Sequence, residues 1–377
     1  MNDEPIRLAL PETDADELAE IATVLESGYL TQGPKVVELE RGVAELVGAK
    51  HAFATTSATT ALHLALAALD IRAGDQVLVP DFTFPATANV VVQLGATPVL
   101  VDVDPRTFAI DVEDAERRIT PNTRAVMPVH PFGLSADMDP VTDLAQRHGI
   151  AVVEDAACAL GTTFHGRPVG AIGTAGCFSF HPRKSITTGE GGMIVTNDDV
   201  LADRIAVLRN HGGRRSEGRY RFEAAGFNYR LSDILAAVGV AQLRKLSSIL
   251  ERRRAIAAGY TAALRDVGGV SAPYEPAWGG HVFQSYVTTV DNGIDRDALI
   301  RFMAGRGIET TLGTYALHAE PYFARTLGHA PGDLPHSWDA YRRSLTLPLF
   351  PQMSESTQAR VVGTLVEGLT QTAGVNV

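Results

Sequence analysis

The sequence predicts an α/β protein with a mostly parallel central sheet flanked by helices, followed by a smaller C-terminal α/β domain. Three observations carry that prediction. Apolar, β-prone runs recur at 76–80, 98–103, 125–129 and 150–154. They come roughly every 25 residues, with helical patterns such as 85–94 and 141–149 between them, which is the signature of βαβ units. Residues 150–153 are continuously apolar rather than alternating, as strands covered on both faces are. A length of 377 residues buries a large core and leaves room for a second, smaller one.

The other elements come in chain order. Leu62, Ala65, Leu66 and Leu69 fall at helical spacing. Phe178 and Phe180 alternate with Ser179, and 193–195 are β-prone, so a strand pair brackets the segment 181–192 and extends the sheet. Residues 198–210 read as a helix with Val200, Leu201, Ile205 and Leu208 inward, ended by Gly212 and Gly213. The polar stretch 213–221 reads as a mobile loop. Ser232 opens a long helix carrying Ile234, Ala237, Val238, Val240, Leu243 and Leu246, and running towards Leu264. The boundary is placed along it, near residue 250, giving domains 1–250 and 251–377. The second holds a β-run at 285–290, a helix at 296–306, an aromatic loop at 314–323 and a last helix over 354–370.

Composition narrows the function. Hydrophobic residues make up 45% and the mean hydropathy is +0.03, a globular balance. A net charge of −11 argues against nucleic acid, which needs a basic footprint. Arg252, Arg253 and Arg254 form one basic run, read as the solvated face of a helix. Two cysteines, Cys158 and Cys177, make no disulfide framework and fit a reducing cytoplasm. The acidic start lacks a signal-peptide core, and no apolar run approaches the ~20 residues of a membrane span. No metal site is expected.

Three features carry chemistry. Lys184 sits on a hydroxyl- and glycine-rich loop, where Gly189, Gly191 and Gly192 allow sharp turns. Short neighbours leave its amine open to a small electrophile, which suits a Schiff-base lysine; alone it could be a surface lysine in a hairpin. Asp155 ends a buried strand at its carboxyl edge, where open α/β sheets bind ligands. It needs a cationic or hydrogen-bonding partner there, and a helix cap or structural ion pair is the competing reading. Thr55, Thr56, Ser57, Thr59 and Thr60 cluster at a helix start, where free N–H groups favour a phosphate; ordinary capping is the alternative. A phosphate cradle, an aspartate and a loop lysine together point to pyridoxal 5'-phosphate (PLP).

With those residues in place, the chain resembles the DegT/DnrJ-type aminotransferases, fold-type-I PLP enzymes acting mainly on nucleotide-linked keto-sugars. The resemblance runs through 27–34 (SGYLTQGP), 36–40 (VVELE), 57–66 (SATTALHLAL), 129–133 (VHPFG), 154–157 (EDAA), 177–192 (CFSFHPRKSITTGEGG), 226–230 (GFNYR) and 315–318 (YALH). It implies a fold-type-I architecture and a homodimer with sites at the subunit interface. Lys184 then holds PLP covalently and moves protons. Asp155 pairs with the pyridine nitrogen, and Ala58, Thr59 and Ser179 hold the phosphate. Asn228 reaches the phosphate of a second subunit. Phe84 lies against the cofactor ring, with Phe82 competing for that place. Tyr29, His181, Tyr315 and His318 are substrate-side candidates, and Arg230 is a further one.

Two positions depart from the family pattern. Cys158 stands where glutamine or histidine usually contacts the cofactor's phenolic oxygen, and a thiol is a weaker partner. Ala58 replaces a more usual glycine. The expected activity is amino transfer from glutamate to a nucleotide-linked keto-sugar. A cyclitol or other non-nucleotide ketone is the alternative acceptor. Family dehydratases carry histidine in place of the lysine, so Lys184 counts against dehydration. A PLP-binding regulator without turnover is the reading of another class.

Overall fold

The apolar runs become strands of a seven-stranded sheet in the computed structural model, which describes residues 4–216, 218–330 and 332–372. In chain order these are β1 (His51–Thr55), β2 (Gln76–Pro80), β3 (Thr97–Val101), β4 (Thr123–Val126), β5 (Ala151–Asp155), β6 (Ala175–Ser179) and β7 (Gly192–Thr196). Their spatial order is β1-β7-β6-β5-β4-β2-β3. β7 runs antiparallel to both neighbours, and every other adjacent pair is parallel. Six strands therefore end at one edge, and the loop carrying Lys184 is the hairpin that turns there.

Helices cover both faces: α1 (Ala15–Ser27), α2 (Pro34–Val47), α3 (Ala58–Ala68), α4 (Ala86–Gln93), α5 (Val112–Arg117), α6 (Met138–His148), α7 (Asp199–Arg209) and α8 (Asp233–Leu264). Period-2 alternation divides the strand side chains between the faces. Val152 and Phe178 pack with Leu39 of α2, Leu144 of α6 and Val240 of α8. Val153 and Ile194 pack with Leu62 and Leu66 of α3, Val91 of α4 and Ile205 of α7.

A second core lies at the far end of α8. A four-stranded sheet, ordered Val270–Ser271, Tyr286–Val290, Ser344–Leu347 and Thr311–Leu312, is covered by α9 (Arg296–Gly305) and the last helix, Glu355–Thr372. Tyr260, Tyr286, Met303 and Leu365 fill it, and so does Ile6 from the N-terminal stretch. The Ile6 N–H donates to the Gly307 carbonyl at 2.8 Å, so the start of the chain is fastened to this C-terminal core.

Three sequence expectations change. The stretch 213–221 is a two-stranded hairpin, Gly213–Ser216 against Arg219–Phe222, with Glu217 outside the described residues. Its one apolar stripe, Tyr220 with Phe222, is exposed rather than packed on a core. Its ladder is braced by Arg214, which reaches Asp203 at 2.7 Å and Glu223 at 3.1 Å. On α7, Val200 is 72% exposed and Val207 takes the inward place. Within the basic run, Arg253 is only 2% exposed. Its Nη1 donates to the carbonyls of Phe283, Gln284 and Leu349 at 3.2–3.4 Å, with no carboxylate partner among the described residues. Burial pulls this guanidinium down to about 10.

Candidate active site

The end of β5, the β6–β7 hairpin and the start of α3 converge on a cavity of about 660 Å³. Gly192 makes the convergence possible. A Cβ there would stand 2.4 Å from the Ser57 carbonyl carbon and 2.6 Å from the Ala58 nitrogen, so any other residue would push α3 off the hairpin. Gly189 turns the loop with φ +83°. Ser57 caps α3 by accepting the Thr60 N–H at 3.1 Å, and Thr60 Oγ1 accepts the Ser57 N–H in return. Ala58 and Thr59, the first residues of the helix, line the cavity with Ser179. Their N–H groups precede the intrahelical ladder, so the capped helix still offers donors and a positive dipole end.

Lys184 Nζ lies 3.1 Å from Cys158 Sγ. Asp155 is 6% exposed; one oxygen accepts Thr87 Oγ1 at 2.8 Å and the other the Ala157 N–H at 3.2 Å. Burial raises the Asp155 carboxyl above its ordinary value, and the Thr87 bond, the Ala157 bond and the Lys184 charge offset this only in part. Among the described residues no salt bridge reaches this carboxylate. Its neighbour Glu154 faces the other way. His130 Nε2 donates to Glu154 at 3.0 Å, a tautomer fixed because His130 Nδ1 accepts the Ala136 N–H. Glu154 also accepts N–H groups from Gly170, Ile172 and Gly173 at 2.6–2.8 Å. Burial works to raise it too, but His130 and these amides outweigh that and hold it below the usual range.

Of the sequence candidates, Ala58, Thr59, Phe84, Asp155, Cys158, Ser179, His181 and Lys184 line the one cavity. Phe84 is 64% exposed, whereas its rival Phe82 is buried in a cluster with Phe108 and Phe132. Burial lowers the His181 imidazole, with Glu190 opposing and the Lys184 and Arg183 charges adding to it. Five candidates stay outside the cavity: Tyr29, Asn228, Arg230, Tyr315 and His318. Tyr29 and Asn228 are exposed away from it. Tyr315 supports Phe84, ring centroids 6.5 Å apart, on a short strand paired to Phe82–Thr83. His318 is buried with Nδ1 2.6 Å from Asp81 Oδ2, a contact that pins the aromatic loop to the sheet and turns the ring from the site. Sequence reasoning misses Thr87, Arg183 and Glu190. Thr87 reads as an ordinary residue of a helix start, and only the fold shows its hydroxyl under Asp155.

The donor set fits PLP. A helix start suits its phosphate, a buried carboxylate short of a cation suits its protonated pyridine nitrogen, and an amine opens onto the same space. Known proteins agree. The pattern of the DegT/DnrJ/EryC1/StrS aminotransferase family matches residues 11–366. Spore coat polysaccharide biosynthesis protein SpsC of Bacillus subtilis is 41% identical over 360 residues, 92% of each chain. GDP-perosamine synthase of Caulobacter vibrioides is 40% identical over 370 residues, 97% of this chain and 99% of that protein. The putative sugar aminotransferase Spr1654 of Streptococcus pneumoniae, solved in PMP and PLP forms, superposes with TM-scores of 0.94 and 0.93 at 27% and 28% identity. It covers 98% of this chain and 98–99% of its own. The chain belongs to the DegT/DnrJ/EryC1/StrS aminotransferase family and is a PLP-dependent aminotransferase.

Proposed function

We propose that this aminotransferase moves the amino group of glutamate to the ketone of a nucleotide-linked sugar, giving an amino sugar. One observation carries the reading: Lys184, Asp155 and the start of α3 open into a single cavity. The names of two relatives, GDP-perosamine synthase and the spore coat polysaccharide biosynthesis protein SpsC, support a sugar acceptor. When bound, PLP supplies an electron sink that makes the donor's Cα proton removable. Lys184 Nζ takes that proton as general base and later delivers one to the acceptor's former carbonyl carbon. Asp155 keeps the pyridine nitrogen protonated. Ala58 and Thr59 N–H groups, with Ser179, would hold the phosphate, and Phe84 would lie against the ring. Cys158 stands beside the amine, where a contact to the phenolic oxygen is available.

Asn228 belongs to the same reading as a residue given to the site of a second copy, because its own chain leaves it exposed outside the cavity. The working unit is then a homodimer. Both cysteines are free, as a reducing cytoplasm allows. Among the described residues no helix is long and apolar enough to cross a membrane.

A panel of nucleotide keto-sugars and cyclitol ketones, each with glutamate or glutamine and read by mass spectrometry, tests the proposal. An amino-sugar product from a nucleotide-linked ketone is expected. Turnover of cyclitol ketones alone would move the acceptor to the other class. No product with any pair would reject both acceptor classes. For the dimer, mixing Lys184→Ala and Asn228→Ala chains should restore activity, since one site in each mixed dimer then carries neither defect. Confirmed subunit exchange without recovery would confine Asn228 to its own chain.

A further inference from the structure

Beside the main cavity, on the side of the C-terminal sheet, lies a smaller lobe of about 160 Å³. Cys158, Arg183, Lys184, Phe84, Phe132 and Thr314 are common to both. The lobe is too small for a nucleotide-linked sugar, since drug-sized ligands occupy roughly 300–1,000 Å³. A five-carbon amino acid is nearer its scale.

The charge of the lobe is one-sided. Arg183 and Lys184 line it, and no aspartate or glutamate does. Once Lys184 is committed to the chemistry, Arg183 is the cation that remains. Its guanidinium makes no hydrogen bond or ion pair among the described residues, although the chain as a whole is acidic, at −11. Its backbone is held in place: the Arg183 carbonyl accepts Gln284 Nε2 at 2.6 Å, and the Arg183 N–H donates to His181 Nδ1 at 3.2 Å. Behind the lobe, the Arg253 guanidinium is buried against the carbonyls of Gln284 and Leu349, both lobe residues. A second positive charge, with no carboxylate partner among the described residues, thus backs the same wall. The other polar side chains there, on Gln284, Ser285, Thr311, Thr314 and Thr346, carry no charge, and the Cys158 thiol completes the set.

We infer that this lobe is the amino-donor subsite and that Arg183 recognises a carboxylate of the donor. The inference rests on the amino-transfer reading above and assigns the donor's place within it. An unpaired arginine with a fixed backbone, facing a small space without anions, is the partner a carboxylate needs, and its planar fork matches two carboxylate oxygens. Sugar and donor would then share the reacting amine while using different lobes, in keeping with a two-stage reaction in which each visits the site in turn.

Glutarate, a dicarboxylate with no amine to transfer, isolates recognition from chemistry. Calorimetry on the PLP-loaded enzyme should show glutarate binding. Arg183→Gln should weaken it about tenfold or more, the worth of a charge-assisted contact. Arg183→Lys should restore part of it, and the visible absorbance of the bound cofactor should not change. In steady state the donor KM should rise by a similar factor while the keto-sugar KM holds. If the side-chain carboxylate is the one read, glutamate suffers and glutamine does not; if the α-carboxylate is read, both do. Wild-type enzyme that fails to bind glutarate, or an Arg183→Gln variant that binds it equally well, would overturn the assignment. Arg183-dependent glutarate binding in an enzyme that turns over only neutral amino acids would keep the subsite and discard glutamate as donor.

Discussion

At the end of β5 the sheet carries a carboxylate on each face, and the two faces treat it differently. Behind the sheet, Glu154 is enclosed by His130 and three backbone amides, and its charge is fully answered within the chain. On the cavity side, Asp155 is nearly as buried yet meets one hydroxyl and one amide. Burial alone therefore does not mark a functional acid. What separates the two is whether the fold supplies the missing positive charge or leaves it to a ligand.

The sharpest break of this comparison exchanges the two losses. Glu154→Gln should cost about 3 kcal/mol of folding stability by urea titration, because it breaks a buried pair and strands its donors. Asp155→Asn should leave stability unchanged or raised in the cofactor-free protein, and should lower turnover about a hundredfold, as loss of an electrostatic stabiliser does. Equal stability for both variants, or near-normal turnover in Asp155→Asn, would mean that the faces do not differ in kind.

The same contrast has a pH signature. Glu154's folded value is depressed, so its stabilisation is complete above its unfolded value and fades as pH falls through the folded one. Asp155's is raised, so its protonated form is favoured below the unfolded value and that advantage is lost as pH rises through the folded one. In the cofactor-free protein, the stability gap between wild type and Glu154→Gln should narrow on acidification. The gap between wild type and Asp155→Asn should open in favour of the variant as pH approaches neutrality. Gaps flat across pH would contradict both assignments.

Smaller changes sharpen the picture. Thr87→Val removes one of the two hydrogen bonds to Asp155 and should lower turnover about five- to tenfold, the rate equivalent of roughly 1 kcal/mol. An unchanged rate would make the hydroxyl incidental. The least effect is expected at Cys158. In the PLP-loaded enzyme, Cys158→Gln and Cys158→Ala should each move the pH midpoint of the visible absorbance by ~0.5 unit, as gain or loss of one hydrogen bond to a titrating group does. If neither moves it, the thiol is a filler that happens to touch Lys184.

How much of this is legible in sequence turns on what each residue depends on. Lys184, Asp155 and the start of α3 depend on position at a strand or helix end, and periodicity places such ends. Thr87 depends on a contact between α4 and β5, which no local pattern records. Arg253 is misread for a related reason: three arginines in a row look alike, and only the tertiary carbonyls of Phe283, Gln284 and Leu349 single out the middle one. The hairpin at Gly213–Ser216 is unreadable because its strands bury little and rest on ion pairs and backbone bonds. Tyr29 and Asn228 lie outside the cavity, a placement that residue type alone does not encode.

The single reversed strand also sets a timetable for synthesis. β1 has one neighbour in the sheet, β7, which is the last central strand to be made. A ribosome must therefore release Thr196 from its exit tunnel before His51–Thr55 finds its place and α3 can settle onto Gly192. The entropy of closing so long a loop grows only slowly, by about 0.6 kcal/mol per doubling of length. The delay is one of waiting rather than of energy, and through it the side of α3 that meets β7 stands uncovered on the nascent chain. Hydrogen exchange on ribosome-stalled chains should find β1 protected only in those long enough to free β7 from the tunnel.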